Sequence, residues 1–337
     1  MRAQLEVHRA QVLAYRRRVG ALDARLPYSA SSLRRVAWAG LQDSVPRAAL
    51  LAIHARVRDT RPDSWEDPAF VQVWGPRWSV FVVPAQDHAI FTLGTLPDDA
   101  KGRARAEEVA ALLHGRLRGG RSTYSSVGHG LGVHPSWLRY AGATGTVLIR
   151  WDGARAPEVW SVPRPDVDPF EARVELARRY LHVVGPQSHQ GFAWWAGVNP
   201  KRGRMVFEAL GDELVPVRTP LGEASILASD EATFAEPATE PAPARLLSSG
   251  DPYLMAADRE LLVADNEDRR TLWPPGTVWP GGLMVAGELV GTLRRSTNRM
   301  TITTWRRLAG EERAAVEAEA ATLPLPDLPG PMRVTWA

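Results

Sequence analysis

Two stretches of this chain, 65 residues apart, follow one grammar. Ser188 is followed nine residues later by Gly197-Val198-Asn199-Pro200, and Thr123 nine residues later by Gly132-Val133-His134-Pro135. The hydroxyl residue suits a helix N-cap, the glycine a helix end, and the proline the first turn of another helix. A short turn containing glycine between two helices is the helix-turn-helix pattern. The spacing predicts second helices over 135–143 and 200–210, preceded by amphipathic helices near 104–117 and 172–183. Two β-rich runs follow each unit, at 146–151 with 158–162 and at 213–217 with 225–227. Helix, helix, turn, helix, hairpin is a winged helix, and a repeated one excludes accident.

An altered third copy stands near the start. Ser31 precedes Gly40 by nine residues, and Trp38-Ala39-Gly40 echoes Trp195-Ala196-Gly197. Here Leu41-Gln42-Asp43-Ser44-Val45 intervenes before Pro46, where a helix over 46–57 is expected, followed by strands at 70–74 and 78–83. The fold class is therefore α+β, with three tandem winged-helix units and a β-rich C-terminal unit. The divisions fall at 1–97, 98–165, 166–240 (the third unit plus a linker) and 241–337, the last containing a β-meander and a closing helix over 311–322.

Charge is sorted along the chain. Residues 1–210 carry 29 Lys and Arg against 19 Asp and Glu, whereas 211–337 carry 12 against 19. This split points to a polyanion met by the first two-thirds, with the acidic remainder as a scaffold bracing the basic units. All but Lys101 and Lys201 of the cations are arginine, whose planar fork suits phosphate and guanine edges. Codon bias also enriches arginine, although it does not sort charge by region. Zero cysteines exclude a disulfide scaffold, a zinc–thiolate centre and a cysteine nucleophile. No apolar run is long enough to span a membrane and no secretory signal is visible, so a cytoplasmic protein is expected. His129 and His134 lack a third ligand nearby, so neither a metal nor a cofactor is expected.

The expected partner is double-stranded DNA, met by a monomer. The second helices offer His134, Ser136 and Arg139, then Lys201, Arg202 and Arg204, against the plainer reading of a solvated helix face. Arg150 and Arg155 flank a hairpin and could reach phosphate, while Arg34, Arg35, Arg47 and Arg77 are the cations expected on DNA from the first unit. Arg16-Arg17-Arg18 suits a helix C-terminus by charge alone.

Several motifs resemble a known group: Gly40-Leu41-Gln42 with 46–51, Arg178-Arg179-Tyr180-Leu181 running into Gly185-Pro186, Asp251-Pro252-Tyr253-Leu254 with Asp258-Arg259, and 287–292. Over about residues 8–322 the chain resembles the bacterial tandem winged-helix family that includes the azinomycin-resistance DNA glycosylase and interstrand-crosslink repair glycosylases. The resemblance implies winged-helix units around a DNA-binding concavity and hydrolysis of N-glycosidic bonds of bulky alkylated purines. That family places Gln, an apolar residue, then Gln or Asp in its active-site turn. This chain has Gln42, Asp43 and Ser44, so Gln42 matches and the other two depart.

An alkylated purine is already cationic and needs no general acid to leave. It needs a positioned water and a group that stabilises oxocarbenium-like charge. Gln42 can orient water and Asp43 can supply charge, so Gln42, Asp43 and Ser44 are the catalytic candidates. Equally, Asp43 or Ser44 could cap the helix expected from Pro46. A monofunctional glycosylase and a non-enzymatic DNA binder that has lost the catalytic motif both fit; the charge split disfavours a protein-interaction module.

Overall fold

The computed structural model describes residues 5–153, 155–326 and 328–337. The repeated grammar has a local physical basis. Thr123 and Ser188 accept hydrogen bonds from the N–H groups of Ser126 and Gly191, at 3.2 and 3.1 Å, and so cap the helices Tyr124–Gly130 and His189–Ala196. Gly132 and Gly197 then turn the chain with φ of +67° and +72°, and Gly40 does so in the first copy at +75°. A side chain is strained in that region, and at Gly40 it would also strike the Phe81 and Phe91 rings. Pro135 and Pro200 open the next helices, capped by His134 and Asn199.

Three local expectations need correction. The segment Pro135–Thr144 is a 3-10 helix rather than an α-helix. Its buried Leu138, Ala141 and Thr144 recur every third residue, the period of that tighter helix. In the first copy the cap is Ser29, which accepts from the Ser32 N–H at 3.1 Å, and not Ser31. Nor does a helix start at Pro46. Arg47 takes a left-handed conformation with φ of 68°, and the helix is Ala48–His54.

Among the described residues, three sheets organise the strands. The largest runs in the order Leu41–Gln42, Val80–Pro84, Phe70–Trp74, Val147–Arg150, Glu158–Ser161, Arg121–Thr123. The hairpins of the first two segments are thus joined edge to edge, at Gln72 opposite Ile149. The third hairpin, Leu214–Thr219 with Gly222–Leu227, is extended by the N-terminal strand Leu5–Glu6. The C-terminal sheet is an antiparallel run of Ala244–Leu247, Gly281–Val285, Glu288–Ser296 and Arg299–Thr304, with Arg333–Trp336 added in parallel. The helix Gly310–Ala321 packs on it through Val316 and Ala320.

The helix Pro169–Val184 ties these parts together. Asp168 caps it, accepting from the N–H groups of Phe170 and Glu171. Its buried Tyr180 stacks on Trp195 at 4.9 Å, within a core that also takes Phe81 and Phe91 from the first segment and Leu254, Met255 and Trp273 from the C-terminal one. Arg173 donates to the carbonyls of Gly94 and Leu96, and Arg179 pairs with Asp87 at 3.0 Å.

The charge split is partly consumed inside the molecule. Arg16 pairs with Asp258 at 2.7 Å, Arg56 with Asp251 at 2.6 Å, and Arg9, Arg18 and Arg25 with Glu288, Glu236 and Glu319. Each is an arginine from the basic region bound to a carboxylate from the acidic one. Those arginines are tied to the acidic last third of the chain instead of facing a polyanion, and Arg16 and Arg17 are buried. Among the described residues, no helix is long and apolar enough to cross a membrane.

Candidate active site

The residues inserted in the first copy form an edge strand. Leu41 and Gln42 pair with Val82 and Phe81, and the Asp43 N–H donates to the Val80 carbonyl at 2.7 Å. Side chains alternate along a strand, so Gln42 and Asp43 face opposite ways. Asp43 turns inward and is 4% exposed. Its carboxylate accepts from the Ala49 N–H at 2.9 Å, at the start of the helix Ala48–His54, and from Gln72 Nε2 at 2.6 Å. Gln72 in turn binds the backbone N–H and carbonyl of Trp151. Burial pushes the Asp43 carboxyl up to about 6, against the helix N–H groups, Gln72 and the nearby Arg47. The structure thus bonds the Asp43 carboxylate to the helix terminus and Gln72, the capping alternative, and does not place it on the wall of the cavity that Gln42 faces.

Gln42 faces a cavity of about 400 Å³ that Ser44, Arg77, Ser79, Trp194 and the 249–250 and 277–279 segments also line. Arg77 Nη2 donates to Gln42 Oε1 at 3.0 Å. Behind Gln42 lies Gly250, where φ is +74° and a Cβ would stand 3.1 Å from Gln42 Cδ, so glycine is needed for both conformation and space.

Arg77 comes from a strained turn: φ is 55° there and 58° at Trp78, both unusual for residues with side chains. The Gly197 turn packs on its backbone, where a Cβ would approach Arg77 N to 3.0 Å. The guanidinium lies 5.0 Å from the Trp194 ring, which Arg259 also approaches, at 5.1 Å. Burial, with Arg259 nearby, lowers the Arg77 pKa to about 10, so it remains a cation at neutral pH.

A second chamber of about 490 Å³ shares Ser44, Arg77 and Ser79 with the first and is walled by Trp74, Trp78, Tyr124, Arg139 and Trp151. Ser44 is exposed at the junction. Lys201 and Arg202 border a smaller cavity, of about 380 Å³, that shares Trp78 with the second chamber. Among the described residues, no carboxylate lines either of the two chambers.

The structure therefore gathers Gln42, Ser44, Arg77 and Arg139. It does not bring Arg34 and Arg35 to them: these line a separate cavity with Arg18, Trp38 and His182, where Arg34 approaches Asp87 at 3.5 Å. Arg150 is held by Glu66 at 2.6 Å, and Arg202 by Asp98 at 3.1 Å. Arg47 and Arg150 both approach the Trp65 ring. His134 accepts from the Ser136 N–H and pairs with its hydroxyl, so both residues serve a helix start. Arg139, Arg155, Lys201 and Arg204 are exposed. Sequence reasoning missed Gly250, the 277–279 segment and Tyr124, and named Arg259 only within a family motif. Gly250 directly precedes the Asp251-Pro252-Tyr253-Leu254 motif, which was the available signal.

No curated protein matches the chain in sequence. Among solved structures, the Streptomyces sahachiroi DNA glycosylase AlkZ matches with a TM-score of 0.78 at 20% identity, over 98% of this chain and 100% of that one, which shows a shared fold. The model of the family described as DNA glycosylase AlkZ-like matches residues 33–324. The chain belongs to the AlkZ-like DNA glycosylase family.

Proposed function

We propose that the protein is a monomeric, monofunctional glycosylase that hydrolyses the N-glycosidic bond of bulky alkylated purines in duplex DNA. The observation that carries this reading is the placement of Gln42 on the wall of a cavity, its amide fixed by Arg77. One lone pair of Oε1 is occupied by Arg77, and the other lone pair and the amide hydrogens can hold a water. That water adds to the sugar carbon as the bond to the purine nitrogen breaks. The purine departs with the bonding electrons, neutralising its alkylation charge, and the water's proton passes to solvent. No lysine lines either chamber, in keeping with hydrolysis rather than a Schiff-base route.

The helix pairs with their hairpins are read as three winged helices that present Arg139, Arg155, Lys201 and Arg204 to the duplex. Binding through them should weaken steeply with salt as counterions are released.

Duplex DNA carrying an N7-alkylguanine, incubated with the protein and then heated to cleave abasic sites, tests the reading. Base release by the parent protein is expected, and Gln42→Ala should lower the single-turnover rate by about 10²-fold or more. Affinity for the duplex should stay close to that of the parent, since Gln42 neutralises no phosphate. The lack of a carboxylate on either chamber's wall favours one alternative, a protein that binds lesions without excising them. Tight binding of lesion DNA with no base released would establish that alternative.

A further inference from the structure

We propose that the second chamber is an adduct subsite, holding a flat aromatic substituent that carries a hydrogen-bond acceptor and is attached to the purine being excised at Gln42. The proposal rests on the excision reading above and specifies what that site accepts.

Continuity between the chambers is the first argument. Ser44, Arg77 and Ser79 border both, and two of these side chains are small. A group projecting from a purine in the Gln42 chamber can therefore enter the second one past Ser44 and Ser79. At about 490 Å³ the second chamber matches the size of pockets that hold whole organic ligands. A methyl group would leave almost all of it vacant.

The walls specify aromatic character. Trp74, Trp78, Tyr124 and Trp151 reach the chamber from a strand, a turn, a helix start and a strand end. Trp74 and Tyr124 are tilted to one another with centroids 5.5 Å apart, and Trp78 meets Tyr140 edge-on at 5.1 Å. Rings held in this way offer faces and edges to a planar guest at little cost in side-chain entropy.

Two buried donors specify the acceptor. Arg77 Nη1 is buried without a partner, and the buried Tyr124 hydroxyl meets the Arg139 guanidinium, from which it can only accept, so its own proton is left to donate. A buried polar atom without a partner is costly, and such atoms in a folded protein call for an explanation. Both belong to residues lining this chamber, and both are donors that an oxygen on the guest would satisfy.

The test uses the full chain and three duplexes, each with a single N7-substituted guanine: methyl, cyclohexylmethyl or phenacyl, the last combining a ring with a carbonyl. Single-turnover release should be about tenfold faster for phenacyl than for cyclohexylmethyl, the scale of one aromatic stack. Tyr124→Ala should lower the phenacyl-to-methyl ratio by about fivefold or more, and Tyr124→Phe, which keeps the ring and drops the hydroxyl, by less. Equal rates for phenacyl and cyclohexylmethyl would overturn the proposal. So would a ratio unmoved by Tyr124→Ala, which would mean that the chamber takes the purine itself.

The same adducts on 2′-fluoro nucleotides, which resist hydrolysis, separate this proposal from the excision reading through quenching of tryptophan fluorescence. If no adduct is released, yet the phenacyl duplex binds more tightly than the cyclohexylmethyl one and Tyr124→Ala abolishes that preference, the subsite stands and the excision reading falls. With no release and no binding preference, the subsite falls as well.

Discussion

Arg77 Nη2 stands 3.0 Å from Gln42 Oε1, and this one contact fixes which end of the Gln42 amide meets the cavity. The guanidinium has no carboxylate partner among the described ion pairs, and burial already lowers its pKa. A desolvated, uncompensated cation is a stability cost that a positioning role can explain. Arg77→Met should therefore slow base release by about tenfold or more while holding or raising the thermal midpoint. Arg77→Lys, which retains a donor, should recover part of the rate. Loss of rate together with a lowered midpoint, and no recovery by lysine, would make Arg77 merely structural.

Asp43 makes a separate prediction through pH. Its folded-state pKa of about 6 lies above its ordinary value of 3.8, so folding favours the protonated form. The stabilisation from this shift is fully present below the ordinary value and is lost as pH rises through about 6. Asn cannot titrate, so the stability of the parent relative to Asp43→Asn should decline between pH 4 and pH 6.5, by on the order of 2–3 kcal/mol. Urea midpoints of both proteins across that range check this. A constant difference would show that the helix N–H groups and Gln72 hold the carboxylate at its ordinary pKa.

The caps at Thr123 and Ser188, the glycines at 40, 132 and 197 and the hairpins were legible because each is decided within about ten residues of chain. The destination of the N-terminal arginines was not. Arg16 meets Asp258 and Arg56 meets Asp251 across roughly two hundred residues or more, and composition by region cannot tell an internal ion pair from a DNA contact. At the site, Gln42 was identifiable from its place in the altered repeat. The inward turn of Asp43 was readable only as one of two alternatives, because it depends on Gln72 across the sheet. The walls of both chambers come from scattered segments with no shared period, so nothing in the sequence marks Tyr124 as a neighbour of that turn, and Gly250 is marked only by the motif it precedes.

Arg56 and Asp251 form a two-pronged pair at 2.8 and 2.6 Å, with side chains 2% and 0% exposed. Asp251 also accepts from the Tyr253 N–H, directly after the Gly250 that backs Gln42. Replacing one partner leaves a buried charge, so Asp251→Asn or Arg56→Met should cost about 3–5 kcal/mol. The double variant should cost less than the sum of the two, because it leaves no orphaned charge. Denaturant unfolding of the three variants gives the coupling directly, and strict additivity would show that the pair is not coupled.

Ser44 stands where the resemblance implies Gln or Asp, and its position in the structure gives that departure a consequence. Its side chain is exposed where the two chambers meet, beside Arg77 and Ser79. Glutamine there would place a second amide near Gln42, able to help hold the attacking water, and would also narrow the passage between the chambers. Ser44→Gln should therefore raise release of N7-methylguanine while lowering the phenacyl-to-methyl ratio, by about tenfold if the passage closes. Excision assays on both duplexes with parent and variant read the two effects together. A parallel rise for both adducts would show that Ser44 affects the chemistry and does not control entry to the second chamber. A parallel fall would show that the turn tolerates nothing larger than serine.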